Sequence, residues 1–243
     1  MVKVIRAGII SMISPKFKNS FLICFIYLFG CQSSYSQKQS ADTVFFLKEK
    51  DQQVYIEPFK NSEKYKVIVD FNFAEYQQED YEEQLKKFEQ EETVFKHFSL
   101  GKFPKQWVNI HLYQKKPYAY YPCDFLNYSA LMFTDSTLIE IGGEGPQVFP
   151  LLSFKKISEK KYEMSTANRK TIFHFIQISG KQVTVAENYY SDGDASLSIP
   201  IYQLLIPADQ ITSIPLIVNE CIINKVVEFS FDYPDFQKYL PKK

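Results

Sequence analysis

From Trp107 onward the chain is a nearly unbroken succession of short β-prone stretches whose connections are too short to hold a helix, and this pattern narrows the fold more than any other feature. In the first stretch Val108, Ile110 and Leu112 alternate with Trp107, Asn109, His111 and Tyr113; Lys115-Lys116-Pro117 turns the chain, and Tyr118, Tyr120 and Tyr121 run back to Pro122-Cys123. Further strands are predicted at 129–133 and 137–141 around Thr134-Asp135-Ser136, at 148–157 after Gly142-Gly143-Glu144-Gly145-Pro146, and at 161–165, 171–178 and 182–190. After Asp192-Gly193-Asp194 come a strand at 199–206, a helical turn at 208–211 and a last strand at 225–231. Consecutive strands without intervening helices pair as an antiparallel meander, and about eight of them close into a barrel or roll up. The expected fold class is therefore mainly β, a barrel or rolled sheet.

Upstream the signals change. Residues 44–73 read as extended, with Val54-Tyr55-Ile56 stopped before Pro58. The strongest strand is predicted at 65–73, where Tyr65, Val67, Val69, Phe71 and Phe73 alternate with Lys66, Ile68, Asp70 and Asn72. Over 76–98 the period becomes helical: Tyr81, Leu85, Phe88 and Phe95 share a face, and Glu82–Lys86 and Glu83–Lys87 pair on the other. The carboxylates between Glu75 and Glu92 spread around the polar side and read as a solvated face.

The first thirty residues have a different character. Lys16 and Lys18 precede an apolar run, 21–29, that ends in Gly30-Cys31. Basic residues followed by about ten apolar ones form the order of a signal peptide, and such a run is too short to cross a bilayer, which takes about twenty. Translation could start at Met1 or Met12. The tetrapeptide Leu28-Phe29-Gly30-Cys31 resembles the lipobox of bacterial lipoproteins, with Phe29 bulkier than the family's usual small residue. The resemblance implies cleavage before a lipidated Cys31, and Gln32 after it implies an outer-membrane lipoprotein facing the periplasm. A second processing site is open, because Ser34 and Ser36 suit ordinary signal peptidase and leave Gln37 first, giving a secreted or free periplasmic chain. The expected organisation is a signal peptide over 1–30, a flexible tether over 31–43 and one β-rich domain over 44–243.

Both cuts leave the same two cysteines, Cys123 and Cys221. In an oxidising compartment they are expected to pair. Removing the leader also removes four basic residues and leaves 24 basic against 28 acidic, a net charge of −4. A mildly acidic domain without a basic run has no electrostatic footprint for nucleic acid, so no such partner is expected.

Compact catalytic motifs are absent from the sequence: there is no Gly-x-Ser-x-Gly, His-Glu-x-x-His, phosphate-binding glycine loop or Cys-x-x-Cys. No cofactor or metal is expected. His97, His111 and His174 share no metal spacing, and His174, on a face with Ile172, Ile176 and Ile178, reads as a hydrogen-bonded core histidine. Gly142 to Pro146 reads as a wide turn. The best binding surface nameable from the sequence is the aromatic face Trp107, Asn109, His111 and Tyr113, extended across the hairpin by Tyr118 and Tyr120. The meander is similar to lipocalin-like barrels in general architecture only, without a lipocalin signature. The functional expectation is a non-enzymatic envelope protein whose β domain binds a small or apolar ligand or a protein partner. A structural subunit of an envelope complex, or a periplasmic hydrolase with scattered carboxylates, are the alternatives.

Overall fold

The computed structural model describes residues 44–191, 199–222 and 227–240. The expected signal peptide over 1–30, Cys31, the expected tether, the expected turn at Asp192-Gly193-Asp194 and positions 225–226 of the last expected strand lie outside them. Within the described residues the chain runs β1 (Phe45–Lys48), β2 (Gln52–Ile56), α1 (Glu63–Val67), α2 (Glu75–Gln90), β3 (Gln106–Tyr113), β4 (Lys116–Tyr121), β5 (Ser129–Phe133), β6 (Thr137–Gly142), β7 (Gly145–Pro150), β8 (Ser153–Ser158), β9 (Lys161–Ser165), β10 (Arg169–Ile178), β11 (Lys181–Tyr190), β12 (Ile201–Pro207) and β13 (Leu216–Cys221). The fold is mainly β, as expected, and its one sheet is rolled rather than closed.

β3 is the pivot. One edge pairs with β12; the other pairs first with β5, at Trp107↔Leu131, and then with β4, at His111↔Tyr118. The sheet therefore forks. One branch rolls through β5, β6 and β7 and returns through β8 to β12, all antiparallel hairpins. The predicted strand 148–157 is bent into β7 and β8 at Leu151-Leu152. There the Leu151 N–H donates to Ser136 O and the Leu152 N–H to Ser165 O, each at 2.8 Å, so successive residues are bound to opposite walls of the roll. The other branch is a flap, β4-β13-β2-β1, and its β4–β13 pair is parallel, a departure from the pure meander.

Residues 65–73 are not a strand. Ser62 caps α1, accepting from the Tyr65 N–H, and the residues buried are Tyr65, Ile68 and Phe71, spaced by three. Val67, an inward position of the strand reading, is 41% exposed. The Tyr65 hydroxyl donates to Ile214 O at 2.9 Å, which ties this turn across the flap. The predicted helix over 76–98 is α2, shorter at its C-terminal end, with Tyr81, Leu85 and Phe88 against the core. Its Gln84 side chain donates to Pro146 O at 2.7 Å and accepts from the Val148 N–H at 2.9 Å. Those are the two bonds a neighbouring strand would make, so the helix shields the free edge of β7.

Candidate functional site

The roll has a filled end and a polar end. Phe103, from the segment entering β3, plugs the lumen: its ring lies 5.0–5.2 Å, centroid to centroid, from Trp107, Phe133, Phe154, Tyr162 and Phe173. Such packing leaves the lower lumen to side chains. Toward the other end the inward residues become polar. Thr171 donates to Asn188 Oδ1 at 2.7 Å, and Asn188 Nδ2 donates to Gln203 Oε1 at 3.2 Å, a ladder across β10, β11 and β12. The next row holds Arg169, opposite Tyr190 in register, and Glu140, brought over from β6.

Arg169 is the most costly residue of this layer. Its side chain is 4% exposed, and its Cζ lies 5.6 Å from the Phe149 ring centre and 5.5 Å from that of Tyr190. Nη1 donates to Glu140 Oε1 and, at 3.2 Å, to the Tyr190 hydroxyl, whereas the buried Nε finds no partner among the described residues. Taking the Arg169 charge out of water costs several kcal/mol, only part of which the 30% exposed Glu140 returns, and the orphaned donor adds about 1–3 kcal/mol. Replacing such a pair with well-packed apolar residues is often neutral or stabilising, so stability is weak ground for keeping these two residues.

Directly above them a pocket of about 350 Å³ opens at the mouth. Its wall includes Leu131, Glu140, Gln147, Tyr190 and Gln203. Glu140 uses only Oε1 toward Arg169, so Oε2 is left for the pocket; Gln203 likewise uses Oε1 and leaves its amide donors. The other wall is the β6–β7 turn, a tight hairpin in which Gly142 pairs with Gly145 and Ile141 with Pro146, in place of the wide turn expected over Gly142 to Pro146. A Cβ at Gly143 would lie 2.4 Å from Leu126 Cα and 2.8 Å from Leu126 N, both backbone atoms. Only glycine lets the Leu126 segment sit against the turn. Gly143→Ala is therefore expected to lower stability by about 1–3 kcal/mol, the usual range for overpacking. Gly142→Ala, whose Cβ meets nothing nearer than Tyr128 O at 3.9 Å, should stay within about 0.5 kcal/mol of the parent. Equal denaturation midpoints for the two variants would remove the contact as an explanation.

The aromatic face named from the sequence is divided. Trp107 is fully buried in the roll, its Nε1 donating to Pro104 O at 2.7 Å, and Asn109 pairs with Leu205 beside it. His111 and Tyr113, at the end of β3 that pairs with the flap, and Tyr118 and Tyr120, on β4, are crossed by residues 227–232. Phe231 stacks on His111 at 4.3 Å and Phe229 meets Tyr113 at 5.1 Å. Glu228 anchors this strap, accepting from Tyr120 OH, the Asp124 N–H, Asn127 Nδ2 and Asn219 Nδ2. A ligand on this face would first displace the strap.

Burial pushes His111 down to about 4. A histidine held neutral in the fold stabilises it above the unfolded-state value near 6.5, and that stability is lost as pH falls from there toward 4. The His111 contribution should fall by about 2 kcal/mol between pH 7 and pH 5. Urea denaturation of His111→Phe should show an acid limb shallower by that amount, and parallel limbs in the two proteins would refute the assignment.

His174 is a hydrogen-bonded core histidine, as the sequence suggested: its Nε2 lies 3.1 Å from Glu187 Oε2, and Tyr189 OH donates to the other oxygen at 2.5 Å. His97, exposed, pairs with Asp135 at 2.9 Å. A larger cleft, about 560 Å³, borders the Cys123–Cys221 disulfide. Of its charges, Lys64 and Glu220 pair with each other, with Lys64 also 4.7 Å from the Tyr121 ring centre, and Lys50 and Asp51 are exposed to solvent, where their pull is screened, so among the described residues it lacks a buried charge like that beneath the mouth. Neither family models nor curated proteins nor solved structures give a match to this chain.

Proposed function

We propose that this chain is an exported binding protein, held on the outer membrane by a lipid on Cys31 and facing the periplasm, whose β domain takes a small ligand at the mouth of the roll. The observation that carries the reading is the buried Arg169 beneath the pocket, paired with Glu140 in its wall, an arrangement that costs desolvation and presents half a carboxylate, a tyrosine hydroxyl and a glutamine amide to one cavity. Export is supported by the basic-then-apolar leader, by the Leu28-Phe29-Gly30-Cys31 tetrapeptide, and by a disulfide between the two cysteines that remain after processing. The filled lower lumen favours a compact ligand at the mouth over a long apolar one threaded through the roll.

Native mass spectrometry of the full chain released gently from the envelope of its host tests this. The expected spectrum contains a small molecule bound one to one, absent from Glu140→Gln. A bare chain, or adduct retained equally by Glu140→Gln, would overturn the reading; a bound protein in place of the small molecule would favour the assembly-subunit role. Labelling with a palmitate analogue, lost in Cys31→Ser, is expected for the anchored form. Unlabelled protein beginning at Gln37 would overturn the anchor.

A further inference from the structure

Resting on the mouth as a ligand site, we propose that the ligand is a neutral polyhydroxylated molecule of mono- or disaccharide size. The pocket's volume, about 350 Å³, falls at the small end of the range of about 300–1,000 Å³ that holds small molecules. Its charges decide the class. Glu140 and Glu144 line it, while the positive Arg169 lies beneath, its Nη1 committed to Glu140 and Tyr190; an anion would meet carboxylate oxygens first. A cation gains little, because Arg169 already neutralises Glu140 and Glu144 is exposed to solvent, where its pull is screened.

What is left is alternation of donors and acceptors. Glu140 Oε2 accepts, the Gln203 amide donates, the Tyr190 hydroxyl takes a bond from Arg169 and keeps its own proton to give, and Gln147 does both. Hydroxyl groups, each donor and acceptor at once, are the ligand groups that match such a set without bringing a charge. Leu126 and Leu131, which also line the pocket, offer apolar surface for the C–H face of a sugar ring. Arg169 acts as a positioning residue: held between Phe149 and Tyr190, it fixes the carboxylate and the hydroxyl that face the ligand.

The test is titration calorimetry of the full chain in detergent against neutral hexoses, N-acetylhexosamines and their disaccharides, with spermidine and citrate as charged probes. At least one saccharide is expected to bind, at least tenfold more weakly to Gln203→Ala, with Gln177→Ala, altered on the exposed part of β10, unchanged. Binding of spermidine or citrate instead, weakened by Gln203→Ala, would overturn the polyhydroxyl class and keep the mouth as a ligand site. No binding by any probe, or saccharide binding indifferent to Gln203→Ala, would overturn the class and the mouth together. Thermal unfolding of both variants confirms that each is folded before its titration counts.

Discussion

Replacing both Cys123 and Cys221 with serine is expected to lower stability by about 4–5 kcal/mol and the melting temperature by about 10–15 °C. The bridge closes a loop with a sequence separation of 98 residues, and chain entropy alone assigns an unfolded loop of that length the energy quoted. Its position explains why so distant a pair can form. β4 and β13 run parallel, in the register Leu216↔Ala119 to Val218↔Tyr121, so both strands deliver their C-terminal ends to one place, and the cysteines that follow come within 5.6 Å, Cα to Cα. An antiparallel neighbour of β4 would have carried its own end away. The flap hangs on this pair, because β13 is the strand through which β2 and β1 join the sheet. A typical domain holds only about 5–15 kcal/mol, so the loss should be plain in denaturation with and without reductant. A change below about 1 kcal/mol would mean that the unfolded chain already keeps these ends together.

The disulfide also marks the boundary between what the sequence states and what it withholds. The hairpins from β3 to β11 are legible because each pairs with a neighbour in the chain and announces itself through local alternation and a short polar turn. β13 announces nothing: Leu216, Ile217, Val218 and Asn219 are all buried, so no alternation marks a face, and its partners β4 and β2 both lie far upstream, as in Leu216↔Ala119 and Ile217↔Ile56. Only the cysteine count hinted that residues near 123 and 221 meet. The segment 65–73 carries two periods at once. The spacing of Tyr65, Ile68 and Phe71, with Ser62 as a cap, prevails because it buries three large side chains while leaving Val67 to solvent. The site was illegible for a related reason. Arg169 reads as a turn residue beside Asn168, and Glu140 as a polar position in a strand. Their meeting depends on the roll carrying β6 across the lumen to the start of β10, which no local pattern encodes. The hint available was Glu140 itself, a charge on the inward face of β6 two residues from the fully buried Leu138.

A double-mutant cycle on that pair gives the sharpest separation of stability from function. Glu140→Leu alone leaves Arg169 buried between two rings with no counter-charge, and is expected to cost about 3–5 kcal/mol; Arg169→Met alone leaves Glu140 30% exposed, able to reach water, and should cost less. Making both changes together should recover most of the loss and return the protein to within about 1 kcal/mol of the parent or above it, because the desolvation of Arg169 and its orphaned Nε disappear with them. The same double variant should bind nothing at the mouth, since the carboxylate and its positioning group are both gone. Stability restored without binding would locate the purpose of the pair in the pocket. A double variant as unstable as the sum of its parts would make the pair a structural element and take away the main support for a ligand at the mouth.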